Sequence, residues 1–78
     1  MLFEDLKWYL NENSIIMIYS NSHELYAFYD GKESIPEYLD DIEVNDIFSD
    51  SYVDPNSAIH NAIGIELDFY AEDIVLFD

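Results

Sequence analysis

A chain of 78 residues has room for one hydrophobic core and no second domain. Half of the residues are hydrophobic, including seven Tyr, five Phe and one Trp, which sets the chain apart from disordered acidic sequences, where high charge accompanies low hydrophobicity. Eighteen Asp and Glu stand against two Lys (Lys7 and Lys32) and no Arg, a formal net charge of −16 that repels nucleic acid and anionic membranes and attracts cationic protein surfaces.

The opening segment, Met1-Leu2-Phe3-Glu4-Asp5, lacks the basic region and continuous apolar run of a signal peptide. No apolar stretch approaches the roughly 18 residues of a membrane span, so a cytoplasmic location is expected. Leu2, Phe3, Leu6, Tyr9 and Leu10 follow i, i+3, i+4 and i+7 spacing, which predicts an amphipathic helix over residues 2–12. Glu4 and Asp5 in its first turn complement the helix dipole. Trp8 is either core or a partly exposed anchor at its edge.

Ser14 to Tyr19 is a β-branched, aromatic run. The polar cluster Ser20-Asn21-Ser22-His23 separates it from a second run, Glu24 to Tyr29, which Asp30-Gly31 closes. Two such runs about a short polar loop predict a β-hairpin, with a helix from Ser22 to Tyr29 as its rival. Ser34, Pro36 and Glu37 have the spacing of a capping box with proline in the first turn. They predict a short second helix with Tyr38 and Leu39 inward and Asp40 and Asp41 outward. Ile42, Val44, Ile47 and Phe48 suggest a strand of imperfect alternation, and Asp54-Pro55-Asn56-Ser57 is a clear loop.

Ile63, Ile65, Leu67 and Phe69 alternate with Gly64, Glu66, Asp68 and Tyr70, the strongest strand signal in the chain. Residues 73–78 add a short final strand. The expected fold is α+β: an N-terminal helix and a short second helix on an antiparallel sheet of four or five strands.

Catalytic chemistry finds no motif. Without cysteine there is neither a disulfide framework nor a thiolate metal site. His23 and His60 stand without partners in sequence, and are expected to be surface or structural histidines. Gly31 and Gly64 are the only glycines, too few for a phosphate loop or a nucleophile elbow. Asp41-Ile42-Glu43-Val44-Asn45-Asp46 alternates oxygen ligands, but an EF-hand needs Gly at its sixth position and an acidic ligand at its twelfth. Those positions hold Asp46 and Tyr52. The chain is expected to be no enzyme and to need no cofactor.

Charge is therefore the functional signal. Residues 33–78 hold thirteen acids and no Lys or Arg. Glu66 and Asp68, two apart on one strand, would stand roughly 6.6 Å apart. DNA carries its phosphates at about 3.4 Å of rise per strand and further apart along the sloping backbone, a spacing of similar order. A rigid carboxylate array can then meet the Lys and Arg that normally meet phosphates. The expected contact set is Glu33, Ser34, Glu37, Asp40, Asp41, Glu43, Asp46, Asp50, Asp54, Glu66 and Asp68.

Glu33-Ser34-Ile35, followed by Pro36-Glu37-Tyr38-Leu39-Asp40-Asp41, resembles the contact segment of phage and staphylococcal uracil-DNA glycosylase inhibitors. These are small acidic α+β proteins that imitate DNA. The resemblance implies that Glu33 and Ser34 address the DNA-binding loops of an enzyme, and that Ile35 helps to receive its protruding leucine. In those inhibitors the segment closely follows the first helix, whereas here a hairpin intervenes. Ser14-Ile15-Ile16-Met17 after Glu12-Asn13 is a second echo nearer that position. The expected function is a phage or mobile-element DNA mimic. It would inhibit a basic, DNA-binding host enzyme or defence protein, whether glycosylase, restriction enzyme or CRISPR effector. The alternatives are an immunity protein or antitoxin that neutralises a cationic toxin, and an acidic adaptor or subunit of a larger complex.

Overall fold

The computed structural model describes residues 1–70; the strand expected over 73–78 lies outside the described residues. Helix α1 (Phe3–Lys7) is followed by strands β1 (Ile15–Tyr19) and β2 (Leu25–Asp30). Two 3-10 turns, Lys32–Ser34 and Glu37–Leu39, lead to the long strands β3 (Val44–Val53) and β4 (Ile59–Leu67). The sheet order is β2-β1-β4-β3. Two antiparallel hairpins, β1–β2 and β3–β4, are joined through a parallel β1–β4 pair at the centre.

That parallel pair corrects the all-antiparallel expectation. Parallel neighbours need a long crossover, and β2, the 3-10 turns and β3 supply it. The arrangement places the two most apolar strands in the middle, where both sides of each are covered by neighbours. Ile16 pairs with Ile63 and Ile18 with Ile65 across the central ladder. Their inward side chains meet Phe3, Leu6 and Leu10 from the N-terminal segment, Ile35 and Leu39 from the connection, and Phe69. Each such burial contributes about 1.5–3 kcal/mol, so this one face holds most of the apolar driving force.

The first helix is shorter than its periodicity predicts, five residues rather than eleven. Phe3, Leu6 and Leu10 point inward as expected, but Tyr9 and Trp8 are exposed at 81% and 83%. After Lys7 the chain continues in tighter turns, with Tyr9 N–H donating to the Leu6 carbonyl and Leu10 N–H to that of Lys7. Short helices gain little from propensity, and this one is held from outside. Phe3 N–H donates to the Ile42 carbonyl at 2.9 Å and Glu4 N–H to that of Asp40 at 3.0 Å. The Asp5 carboxylate accepts the Leu2 N–H at 3.3 Å.

The second helix is replaced by two 3-10 turns. Pro36 forces the residue before it away from helical torsions, and Ile35 is extended (φ −77°, ψ 127°) with its side chain buried. Ser34 therefore caps no helix; its hydroxyl donates to the Asp30 and Gly31 carbonyls instead. Leu39 is fully buried as predicted, whereas Tyr38 is half exposed and its hydroxyl bonds that of Tyr26 at 2.7 Å.

Imperfect alternation in the third strand has a specific cause. Val44 pairs with Leu67 and Asp46 with Glu66, so Asn45 is an extra residue that shifts the register. A second bulge in β2 leaves Tyr26 unpaired between Leu25 and Ala27, and its ring packs edge-on against Phe69.

Candidate partner-binding surface

The side of the sheet facing away from α1 is built from the alternate residues of all four strands. One row across it runs Phe28, Met17, Gly64, Phe48. Beside it lie Tyr19, Glu66 and Asp46; on its other side lie Asp30, Ile15, Ala62 and Asp50. Beyond β1 the β3–β4 hairpin continues alone, adding Tyr52 opposite His60.

Aromatic rings close over the small residues of β4. Phe28 and Tyr52 stack with centroids 4.5 Å apart, and Phe48 sits 5.3 Å from Tyr19 and 5.5 Å from His23. Tyr19 and His23 are themselves stacked at 5.3 Å. Beneath them Met17 is only 7% exposed, although it points away from the main core. Gly64 makes the cover possible, because a Cβ there would collide with the Phe48 ring.

Three polar rings on this face each meet a carboxylate. The Tyr19 hydroxyl donates to Asp50 at 2.5 Å, His23 Nδ1 lies 2.9 Å from Glu66, and His60 Nε2 lies 2.8 Å from Asp54. The Asp50 contact, aided by partial burial, pushes the Tyr19 phenol up to about 12. Asp54 is held below the usual carboxylate range, first by His60 and then by the Ala58 N–H. The two histidines are thus surface groups, as expected, and the structure adds an acidic partner for each.

The residues expected to form one contact set are dispersed over the fold. Glu33, Ser34, Glu37, Asp40 and Asp41 lie on the connection between β2 and β3, where Glu33 and Asp40 line a groove with Glu4, Asp5 and Trp8. Asp40 faces Lys7 Nζ at 2.5 Å, an ion pair rather than a well-directed hydrogen bond, since Asp40 Oδ1 has no hydrogen-bond partner among the described residues. Glu43 pairs with the Met1 amine at 3.0 Å. On the sheet stand Asp46, Asp50 and Glu66, with Asp54 at the hairpin tip.

Several of these acids have local structural roles that the sequence pattern did not reveal. Asp46 and Asp50 each accept the following backbone N–H, of Ile47 and Ser51, along the free edge of β3. Occupied edge donors discourage further strand pairing. Asp54 accepts the N–H groups of Asn56 and Ala58 and so holds the hairpin turn, where Ser57 has φ 66°. Asp68 lies one residue past β4 and accepts from Asn21 at 2.8 Å, so it does not extend a regular strand row with Glu66.

Sequence reasoning missed the aromatic face. Its signal was the period-two run Phe48, Asp50, Tyr52, which alternates against the core pattern and could have been matched to Tyr19 and Phe28. Both lysines lie elsewhere. Lys7 and Lys32 line an open groove of about 410 Å³ with Glu4, Asp5, Trp8, Glu33 and Asp40, and Lys32 Nζ donates to the Lys7 carbonyl at 3.4 Å. The outer face and hairpin tip therefore carry carboxylates with no Lys or Arg beside them. Among the described residues no group of His, Asp and Glu is arranged to hold a metal ion, and no helix is long and apolar enough to cross a membrane.

Comparison with protein-family models, curated proteins and solved structures finds no match to this chain.

Proposed function

We propose that this protein is an acidic DNA mimic that binds a basic, DNA-binding protein and blocks its access to DNA. The observation that carries the reading is the segregation of charge on a folded domain. Both lysines lie in the groove beside α1, while Asp46, Asp50 and Glu66 on the sheet and Asp54 at the hairpin tip have no Lys or Arg beside them. A single-signed field on a rigid scaffold steers association with a cationic groove and rejects nucleic acid. The Glu33-Ser34-Ile35 resemblance adds a glycosylase to the candidate targets, beside restriction enzymes and CRISPR effectors, and favours a phage or mobile-element origin. In this reading the protein is an inhibitor and not an enzyme, and it works in the cytoplasm where its target works.

The test is capture of the partner followed by competition. The protein is immobilised, exposed to a bacterial lysate, and the retained protein is identified and purified. Duplex DNA should then displace it, and its affinity for this protein should fall steeply with ionic strength. A retained protein that binds this chain and duplex DNA together, with no mutual displacement, would rule out mimicry. A retained toxin with no affinity for DNA would instead make the protein an antitoxin.

A further inference from the structure

We propose that the outer face of the sheet reads arginine: its partner lays guanidinium groups on the Phe28, Tyr52 and Phe48 rings and directs their N–H forks to the neighbouring carboxylates. This rests on the reading of the protein as the ligand of a basic partner, and it names the side chain through which that partner is held.

An arginine site needs two things at one place. It needs a π face for the planar, weakly hydrated cation and carboxylate oxygens for its five donors. The outer face has both in alternation. Phe28 is 45% exposed and stacks against Tyr52 at an interplanar angle of 27°, and Met17 and Ala62 on the same side of the sheet are nearly buried, so the outer sides of the ring pair are apolar surface open to a partner. Asp50 follows Phe48 and precedes Tyr52 at period two, and Asp30, on the same side of the sheet, opposes Ile15 at the β2 edge. Each carboxylate can accept about four hydrogen bonds, so those already bonded to Tyr19, His23 or His60 retain capacity for a guanidinium.

Other occupants fit this face less well. Nucleic acid is repelled by the same carboxylates, and a second copy would bring a further net charge of −16 against them. A lysine-rich surface would satisfy the charge but waste the rings, because the ammonium is compact and strongly hydrated. The face is thus complementary in charge and in shape to arginine. Arginine also serves best for bidentate phosphate contacts in DNA-binding proteins.

The experiment compares decaarginine with decalysine, two peptides of equal length and charge, at one fixed ionic strength. Binding is followed by the aromatic and backbone NMR shifts of the full chain. Decaarginine should bind at least fivefold tighter, with its largest shifts at Phe28, Phe48 and Tyr52. The double variant Phe28→Leu, Tyr52→Leu keeps every charge and should bring decaarginine down to the affinity of decalysine, leaving decalysine unchanged. Equal affinities for the two peptides on the unaltered chain would overturn the proposal, and so would decaarginine shifts confined to residues 33–41. The unaltered chain decides even if the variant does not fold. Arginine preference without displacement of any partner by DNA would sink mimicry alone; DNA displacement with equal peptide affinities would sink this inference alone.

Discussion

Phe28 and Tyr52 stand on the two edge strands of the sheet, with β1 and β4 between them, yet their rings stack at 4.5 Å. Edge strands three ladders apart lie about 14 Å from one another, so the contact requires both side chains to lean inward over the central strands. It also requires the central strands to be low there. Ala62 and Gly64 make β4 low, and Met17 fills the space beneath. A sheet with only one packed face thereby gains a thin second apolar layer.

The first prediction follows from Gly64. A methyl group at this position meets the Phe48 ring, and overpacking of this kind costs about 1–3 kcal/mol. Gly64→Ala should lower the urea midpoint accordingly. Phe48→Leu in the same chain should recover much of the loss, because the two changes share one site and are not additive. Additive losses would mean that the ring does not lie over Gly64.

A second prediction concerns the Tyr19 hydroxyl. Its ionisation is pushed up to about 12 by the Asp50 carboxylate and by partial burial. Absorbance at 295 nm should show a late-titrating phenol that Tyr19→Phe removes and Asp50→Asn moves back toward 10. The sign for stability follows from linkage. A phenol with a raised folded-state value contributes its full stabilisation below about pH 10 and loses it as pH rises through about 12. Burial, first, and the Tyr38 hydroxyl raise Tyr29 to about 12 as well, so alkaline unfolding should begin in the same window.

The sequence made the inner half of this architecture legible and left the outer half obscure, for one reason. Alternation in Ile63, Ile65 and Leu67, the polar loop Ser20 to His23, and the Asp54 turn are local signals, and each element they predict is present. Strand direction is not a local property. Nothing in Ile15 to Tyr19 specifies a parallel neighbour, and the pairing emerges only when two hairpins share a core. The bulges at Tyr26 and Asn45 flip the alternation near the start of β2 and of β3, which obscured the rows that place Phe28, Met17 and Phe48 side by side. The same limit applied to the acids. Spacing showed their density, but not that Asp40 faces Lys7 or that Asp54 holds a turn.

Asp54 supplies the third prediction. Its carboxylate accepts two backbone N–H groups and contacts His60, which holds its ionisation below the usual range. A carboxyl with a lowered folded-state value contributes stability that is present above about pH 4 and is lost as pH falls through the folded-state value. Asp54→Ala should therefore lower the melting temperature at pH 7 and flatten the acid limb of the stability curve. Chemical shifts at Asn56 to His60 should report the opened turn. An acid limb identical in the variant and the parent chain would show that the turn does not depend on this charge.

The last prediction separates local charge from total charge. Asp46 and Glu66 are opposite one another in the β3–β4 register on the outer face, and like charges placed so are destabilising. Neutralising both, with Asp46→Asn and Glu66→Gln, keeps acceptors for the Ile47 N–H and for His23. Relief of the repulsion should leave the melting temperature equal or higher. Partner affinity should nevertheless fall by tenfold or more, since a paired interfacial charge is worth roughly 2–5 kcal/mol when truncated. Glu4→Gln with Asp5→Asn removes the same amount of charge from α1, on the side that also carries Lys7 and Lys32, and should weaken binding only slightly. The two double variants are compared for affinity and melting temperature against the same captured partner. Equal losses of affinity would show that the partner senses net charge alone, and the assignment of binding to the sheet face would have to be abandoned.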